Sequence, residues 1–289
     1  MHAPVLLDET IAALELGEGN FVIDGTLGGG GHAKIILQAL GTRGRFLGVD
    51  ADPQALSRAR AALGNPANAT FVHESYANLP DILMREKLPK ADALLLDLGF
   101  SSDQLEGSGR GFSFQRDEPL DMRYDVRNGE TAAEIIAHSS VPDLIKIFRE
   151  YGEERHAEKF AGAVAEAKRH DVITTSGTLA RVITDAAGGR GRIHPATKVF
   201  MALRIAVNHE LENVRAILSS LGNVMRKGGR VAVITFHSVE DRVVKEKFRE
   251  LAKEGIVEIL TKHVIKPSRA EIIANPRSRS AKLRVIQIT

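Results

Sequence analysis

The sequence predicts a doubly wound α/β domain interrupted by a helical insertion, on three observations. Phe21 to Asp50, FVIDGTLGGGGHAKIILQALGTRGRFLGVD, reads as strand, glycine-rich turn, helix and strand. Ala91 to Leu98, ADALLLDL, is apolar on both faces, as expected of a parallel strand covered on two sides. From Thr131 to Ala187 the pattern is helical with scarce strand signals, and the α/β alternation then resumes.

Taken in order, Val5 to Leu16 reads as an amphipathic helix. Phe21-Val22-Ile23 is a short strand ending in Asp24, and Gly28-Gly29-Gly30-Gly31 follows almost at once. Ala33, Ile36, Leu37 and Leu40 fall at helical spacing, with Gly41 where a C-cap would lie. Phe46 to Val49 is a second strand, ending in Asp50. Pro53 opens a helix to Leu63 at its first turn, leaving Asp50 exposed at the strand end. Thr70 to Val72 is a third strand, with Ser75 to Asn78 as a loop after it. Gly28, Asp50, Tyr76 and Asp97 thus all fall at strand carboxyl ends, where doubly wound folds bind ligands.

Ser101 to Arg127 reads as a long functional loop. Helices are expected up to Ala137, then over Pro142–Tyr151, Glu153–Arg169 and Ser176–Ala187, with Gly188 to Arg192 as the return. A helix over Pro195–Leu221, a strand over Arg230–Phe236, a helix over Val239–Lys253 and strands near Val257–Leu260 and Leu283–Ile288 complete the chain. The expected domains are 1–105, an insertion at 106–194, and 195–289.

At 289 residues, 43% hydrophobic and 26% charged, the composition is that of a globular protein of one large domain or two modest ones. Cysteine is absent, which excludes disulfides and thiolate metal sites and fits a reducing cytoplasm. Asp8, Glu9 and Glu15 interrupt the first apolar stretch, so it does not read as a signal peptide. No uncharged apolar run approaches membrane-spanning length.

Glycine lets backbone approach a ligand closely, and an acid at the tip of the next strand suits the two hydroxyls of a ribose. Dinucleotide sites set a pyrophosphate on the helix N-terminus. Here Asp24 precedes the glycines, which favours a ligand bearing a cationic amino group. S-adenosyl-L-methionine has such a group, and methyltransferases with a glycine-rich turn carry this arrangement.

Further stretches are specific as an ordered set: His2-Ala-Pro-Val-Leu-Leu-Asp-Glu9, Asp24-Gly-Thr-Leu-Gly-Gly-Gly-Gly-His32, Asp97-Leu-Gly-Phe-Ser-Ser-Asp-Gln104, Arg110-Gly-Phe-Ser-Phe114 and Pro119-Leu-Asp-Met-Arg123. Tyr151-Gly-Glu-Glu-Arg155, His194-Pro-Ala-Thr-Lys198, Thr235-Phe-His-Ser-Val-Glu-Asp-Arg242 and Asn275-Pro-Arg-Ser-Arg-Ser280 follow. Together they resemble the RsmH/MraW family across the whole chain. Phe100 stands where the family pattern has a smaller residue, and Val239 where it has Leu. The resemblance implies a Rossmann-like methyltransferase domain with an inserted helical domain for substrate recognition. The implied reaction is methylation of the N4 amino group of a cytidine in small-subunit (16S) ribosomal RNA, in the decoding region. It implies S-adenosyl-L-methionine contacts at Gly30, Gly31, His32, Asp50, Tyr76, Asp97 and Gln104. Asp50 would hold the ribose, Tyr76 would pack on the adenine, and Asp97 and Gln104 would lie nearer the sulfonium.

Asp97 is the leading catalytic candidate, able to accept a hydrogen bond from the cytosine amine. His237 is a second candidate, beside Glu240 and Asp241. Methyl transfer needs no metal and this group lacks closed ligand spacing, so no metal is expected. Ser238 reads equally as an N-cap, with Asp241 three residues on. There is no G-x-S-x-G nucleophile turn for a hydrolase. Lys262, Lys266, Arg269, Arg277, Arg279, Lys282 and Arg284 oppose one acid, Glu271, near the carboxyl end. Contact with ribosomal RNA phosphates, within a small ribosomal subunit, is expected at Arg277, Arg279, Lys282 and Arg284. Arg190 and Arg192 would extend that surface, and Phe112, Phe114 and Phe100 are candidates for base stacking. Three rivals remain at this point: a DNA amino methyltransferase, a non-catalytic RNA-binding assembly factor, and a nucleotide-dependent dehydrogenase.

Overall fold

The computed structural model describes residues 4–99, 107–189 and 194–289. Two compact units emerge, one built from 1–99 with 211–289 and the other from 100–210.

The first unit is a seven-stranded sheet in the order β3-β2-β1-β4-β5-β7-β6. Its strands are β1 (Phe21–Asp24), β2 (Arg45–Asp50), β3 (Ala69–His73), β4 (Ala91–Asp97), β5 (Met225–Thr235), β6 (Val257–Ile259) and β7 (Lys282–Ile288). The five strands β3, β2, β1, β4 and β5 are mutually parallel, and β7 inserts antiparallel between β5 and β6. Chain order reverses between β1 and β4, which is the crevice where such sheets take ligands.

Side-chain alternation along the strands explains the layering. Val22, Phe46, Ala93, Leu95, Ala232 and Ile234 pack with α1 (Leu7–Leu14), α2 (Gly31–Leu40) and α3 (Pro53–Leu63) in one core. The alternate residues Ile23, Leu47, Leu94, Leu96, Val231 and Val233 are also fully buried, so both faces are covered. That double burial is why β4 reads as an unbroken apolar run.

The second unit is helical: α5 (Ala132–His138), α6 (Val141–Glu150), α7 (Ala157–His170), α8 (Ser176–Ala187) and α9 (Thr197–Asn208) share one core with Phe112, Leu120 and Met122. Thr131 and Ser140 open α5 and α6 with reciprocal capping boxes to Glu134 and Asp143.

Two local expectations are corrected, and two short helices appear that the sequence reading did not assign. The helix expected over Pro195–Leu221 is broken, because His209 takes a left-handed φ of 50° and caps α9. Arg204 fixes the break with a buried fork of 2.8 and 2.9 Å onto Glu210, which also accepts the Tyr124 hydroxyl. Ala196, Val199, Phe200 and Leu203 therefore belong to the helical core, and α10 (Glu210–Ser219) and α11 (Leu221–Val224) follow as separate pieces. The loop expected over Ser75–Asn78 holds a 3-10 turn at Tyr76–Asn78, which leads into a short helix, α4 (Leu79–Arg85), that the sequence reading did not assign. Beyond α12 (Ser238–Lys253), Ser268 caps a further helix, α13 (Arg269–Ala274), by accepting the Glu271 N–H.

Candidate active site at the carboxyl edge of the sheet

The segment after β1 is clamped by three neighbouring strands. Gly25 N–H donates to Leu95 O on β4, and Leu27 N–H donates to Val49 O on β2. Gly28 N–H donates to Asp50 Oδ2 at 2.8 Å, and Asp97 N–H donates to Thr26 Oγ1 at 2.6 Å. A β-carbon on Gly25 would stand 2.6 Å from Leu96 Cδ2 and 3.0 Å from Tyr76 Cβ, so the turn is pressed between β4 and Tyr76. A rigid cradle results, made mostly of backbone.

The glycines divide by function in a way the sequence did not show. A side chain at Gly30 would meet Leu63 and Ala59 of α3, and one at Gly31 would meet Pro4. Those two are small because protein packs on them. Gly28 and Gly29 instead face open space, with no more than a backbone oxygen at 3.8 Å from a Gly28 β-carbon. Gly28 and Gly29 leave their backbone open to close approach, and Gly30, at φ 82°, shapes the entry to α2.

Three carboxylates converge on this edge, and among the described residues none of them has a Lys or Arg at ion-pair distance. Asp24 is fully buried; burial pushes its carboxyl from 3.8 up to about 7, against the Thr26 N–H that it accepts. Asp50 is pushed up to about 6 by burial, while the N–H groups of Asp52 and Gly28 pull it down. Each Asp50 oxygen accepts one backbone N–H, which fixes the carboxylate's plane and leaves it acceptor capacity for paired hydroxyls. Asp97 is raised well above 3.8 by burial, then by Asp24 and Glu240. Its Oδ1 is buried with no hydrogen-bond partner among the described residues. Buried acids of this kind are held ready for a cation or a donor that binds.

His32 lies on the first turn of α2. Its Nε2 is 3.2 Å from Val5 O, which makes Nε2 the donor and turns the Nδ1 lone pair toward Asp97 Oδ2, 3.6 Å away. Burial lowers the imidazole to about 4, so it stands beside Asp97 as a neutral ring.

His237 is the N-cap of α12: its Nδ1 accepts the Glu240 N–H at 3.4 Å. Ser238 is the first helical residue, so the Ser238–Asp241 pairing does not form. Asp241 turns instead to Lys282 and Arg284, at 2.9 and 2.7 Å. Those hydrogen bonds outweigh its burial and hold its carboxyl below the ordinary value. Lys282 and Arg284, expected at RNA, are therefore engaged within the fold, whereas Arg277 and Arg279 are exposed on the turn Pro276–Ser280. Because β7 is antiparallel, that turn opens on the same edge as Asp97. Gln104, Phe100, Arg190 and Arg192 lie outside the described residues.

Glu240, read from sequence only as a neighbour of His237, takes a larger part in the structure. Glu240 is 1% exposed, accepts the Phe236 N–H at 3.1 Å, and stands 3.0 Å from His237 Nε2. Its field falls on Asp97. An acid three residues after a capping side chain was the available signal.

Carboxylates and open backbone at this edge can chemically accept a positive centre or a pair of hydroxyls. The MraW methylase family model matches residues 1–289. Similar curated proteins include the Ribosomal RNA small subunit methyltransferase H of Desulfosudis oleivorans, 42% identical over 99% of this chain and 98% of its own length. The protein of the same name from Elusimicrobium minutum is 43% identical, covering 99% of this chain and 98% of its own. That of Coprothermobacter proteolyticus is 42% identical over 99% of this chain and 95% of its own.

Proposed function

Because the chain belongs to the MraW methylase family, we propose that it transfers a methyl group from S-adenosyl-L-methionine to the N4 amine of a cytidine in the decoding region of small-subunit ribosomal RNA. The observation that carries the reading is the set of acids around the open side of Gly28 and Gly29, Asp24 buried and Asp50 and Asp97 half-buried, all with carboxyls pushed above the ordinary value. S-adenosyl-L-methionine, when bound, supplies a methyl group on a sulfonium. Asp24 matches its ammonium, and Asp50 its ribose diol. Tyr76 bounds the adenine side, and Gln104 and His32 complete the contacts. The three relatives are named for ribosomal RNA methylation, which makes RNA the substrate in this reading.

The cytosine amine is a weak nucleophile because its lone pair is delocalised into the ring. Asp97 Oδ1, buried and unpartnered, accepts one amine N–H and favours a nitrogen whose lone pair is free of the ring. Thr26 fixes the Asp97 backbone, and His32, neutral and held by Val5, bounds the other carboxylate oxygen. The task of these residues is alignment of the amine with the methyl group it takes. The target base leaves its stack to reach them. The helical insertion recognises the substrate, RNA within a small ribosomal subunit in the cytoplasm, and Arg277 and Arg279 contact its backbone.

Mass spectrometry of small-subunit RNA tests this reading. Cells lacking the protein should lose N4-methylation at one cytidine, and the Asp97→Asn variant should fail to restore it. An unchanged methylation pattern would remove ribosomal RNA as the substrate.

A further inference from the structure

We propose that the groove between α12 and the segment after β6 is a second nucleic-acid subsite, one that takes backbone phosphates of the RNA beside the target base. The inference rests on the RNA-methylation reading, and deepens it by saying where the strand runs.

The groove is lined by Lys245, Phe248 and Arg249 from α12, by Lys262 and His263 after β6, and by Arg284 of β7. Lys245 and Arg249 lie four residues apart, one turn of helix, so both cations face the same side, with Phe248 buried behind them. Arg284 is committed to Asp241. Among the described residues, Lys245, Arg249 and Lys262 have no ion pair. Three cations around one groove, uncompensated, repel one another, and an anion relieves that cost. The groove measures about 270 Å³, below the ~300–1,000 Å³ typical of small-molecule pockets, and four of its lining residues, Lys245, Arg249, Lys262 and Arg284, are cations set among the apolar Phe248, Ile259 and Val264. A phosphate fits that chemistry; a buried organic cofactor does not.

Topology connects the groove to the reaction centre. β6 runs antiparallel to β7, which runs antiparallel to β5, so the end of β6 and the residues after it lie at the edge that carries Asp97. Ile265 bridges to Leu283, itself opposite Ile234, and so ties the segment to that edge. β4 and β6 are separated by β5 and β7, three strand spacings of ~4.8 Å, or about 14 Å. At a rise of ~3.4 Å per stacked nucleotide, that is about four nucleotides from the target. A strand whose flipped base reaches Asp97 can therefore lay its neighbouring phosphates along α12.

The test is a titration of purified small-subunit ribosomal RNA over a range of salt, with the Lys245→Ala, Arg249→Ala and Lys262→Ala variants and their triple combination. Each single-strand phosphate contact contributes about 0.7 to the slope of log affinity against log salt, so the triple variant should flatten it by about 2. Its affinity for S-adenosyl-L-methionine, read by calorimetry, should match the parent, which also certifies folding. The exchange Lys245→Arg with Arg249→Lys and Lys262→Arg should restore the slope. A triple variant with parental slope and affinity overturns the subsite. Parent protein that neither methylates nor binds this RNA would instead overturn the functional reading, which keeps the two failures apart. A flattened slope that accompanies lost cofactor binding is resolved by the single variants, each expected to lower the slope by about 0.7 without that loss.

Discussion

Asp50 accepts Gly28 N–H and Asp52 N–H on different oxygens, so the side chain proposed to hold the ribose also shapes the glycine turn. Asp50→Ala should therefore weaken S-adenosyl-L-methionine binding by one to two orders of magnitude, since loss of hydrogen bonds to a charged acceptor costs ~1.5–3 kcal/mol. Calorimetry on the folded variant checks it, and unchanged affinity would take Asp50 out of the site. Asp24 gives a pH signature of its own. Its folded pKa of about 7 lies above 3.8, so the folded state holds the proton more tightly than the unfolded chain. The stability this contributes is complete below 3.8 and is lost as pH rises to about 7. A cationic ligand prefers the ionised acid, so binding should release protons and tighten as pH climbs through the values of about 6 and 7 for Asp50 and Asp24. Titration in buffers of different ionisation enthalpy reads that release directly. Pure uptake, or none, would mean that Asp24 stays protonated in the complex.

At the level of elements, His237 separates a structural from a chemical role. It caps α12 through Nδ1, and removing such a cap costs ~0.5–2 kcal/mol. Replacement by Asn supplies another capping acceptor, so His237→Asn should keep thermal stability close to the parent while His237→Ala lowers it. Methylation that survives in the Asn variant assigns His237 to the cap; methylation lost at full stability assigns it to the reaction. The elements also show what the sequence could carry. β1, the glycine turn, α2 and β2 were readable because a buried strand, a glycine run and a C-cap each have a local cause. Asp24, Asp50 and Asp97 were readable for the same reason, as acids at strand tips. α4 was not, because its seven residues follow directly on a 3-10 turn, and the proline at its start was its chief marker. The break at His209 was hidden too, since the Arg204–Glu210 pair that stabilises it is a contact across the bend rather than a change in periodicity. Lys282 and Arg284 read as free cations because their partner, Asp241, is some forty residues earlier in the chain.

For the whole molecule, two cores with separate membership imply two stability units. The sheet core draws on residues before Gly99 and after Leu211, and the helical core on residues between them. The described residues assigned to cofactor contact all lie in the first unit. A ligand present at 100 times its dissociation constant stabilises the state it binds by ~2.7 kcal/mol, which slows exchange through global unfolding of that state about a hundredfold. Hydrogen exchange with and without S-adenosyl-L-methionine should therefore show the slowing in β1, β2 and β4. The amides of α6 (Val141–Glu150) and α7 (Ala157–His170) should exchange at their unliganded rates. Equal slowing in both would mean that the units unfold as one, and the helical insertion would then be part of the cofactor-binding fold rather than a separately stable recognition module. Slowing confined to the sheet unit would leave the insertion free to respond to RNA alone, and adding small ribosomal subunits should then protect α6 and α7 where cofactor did not.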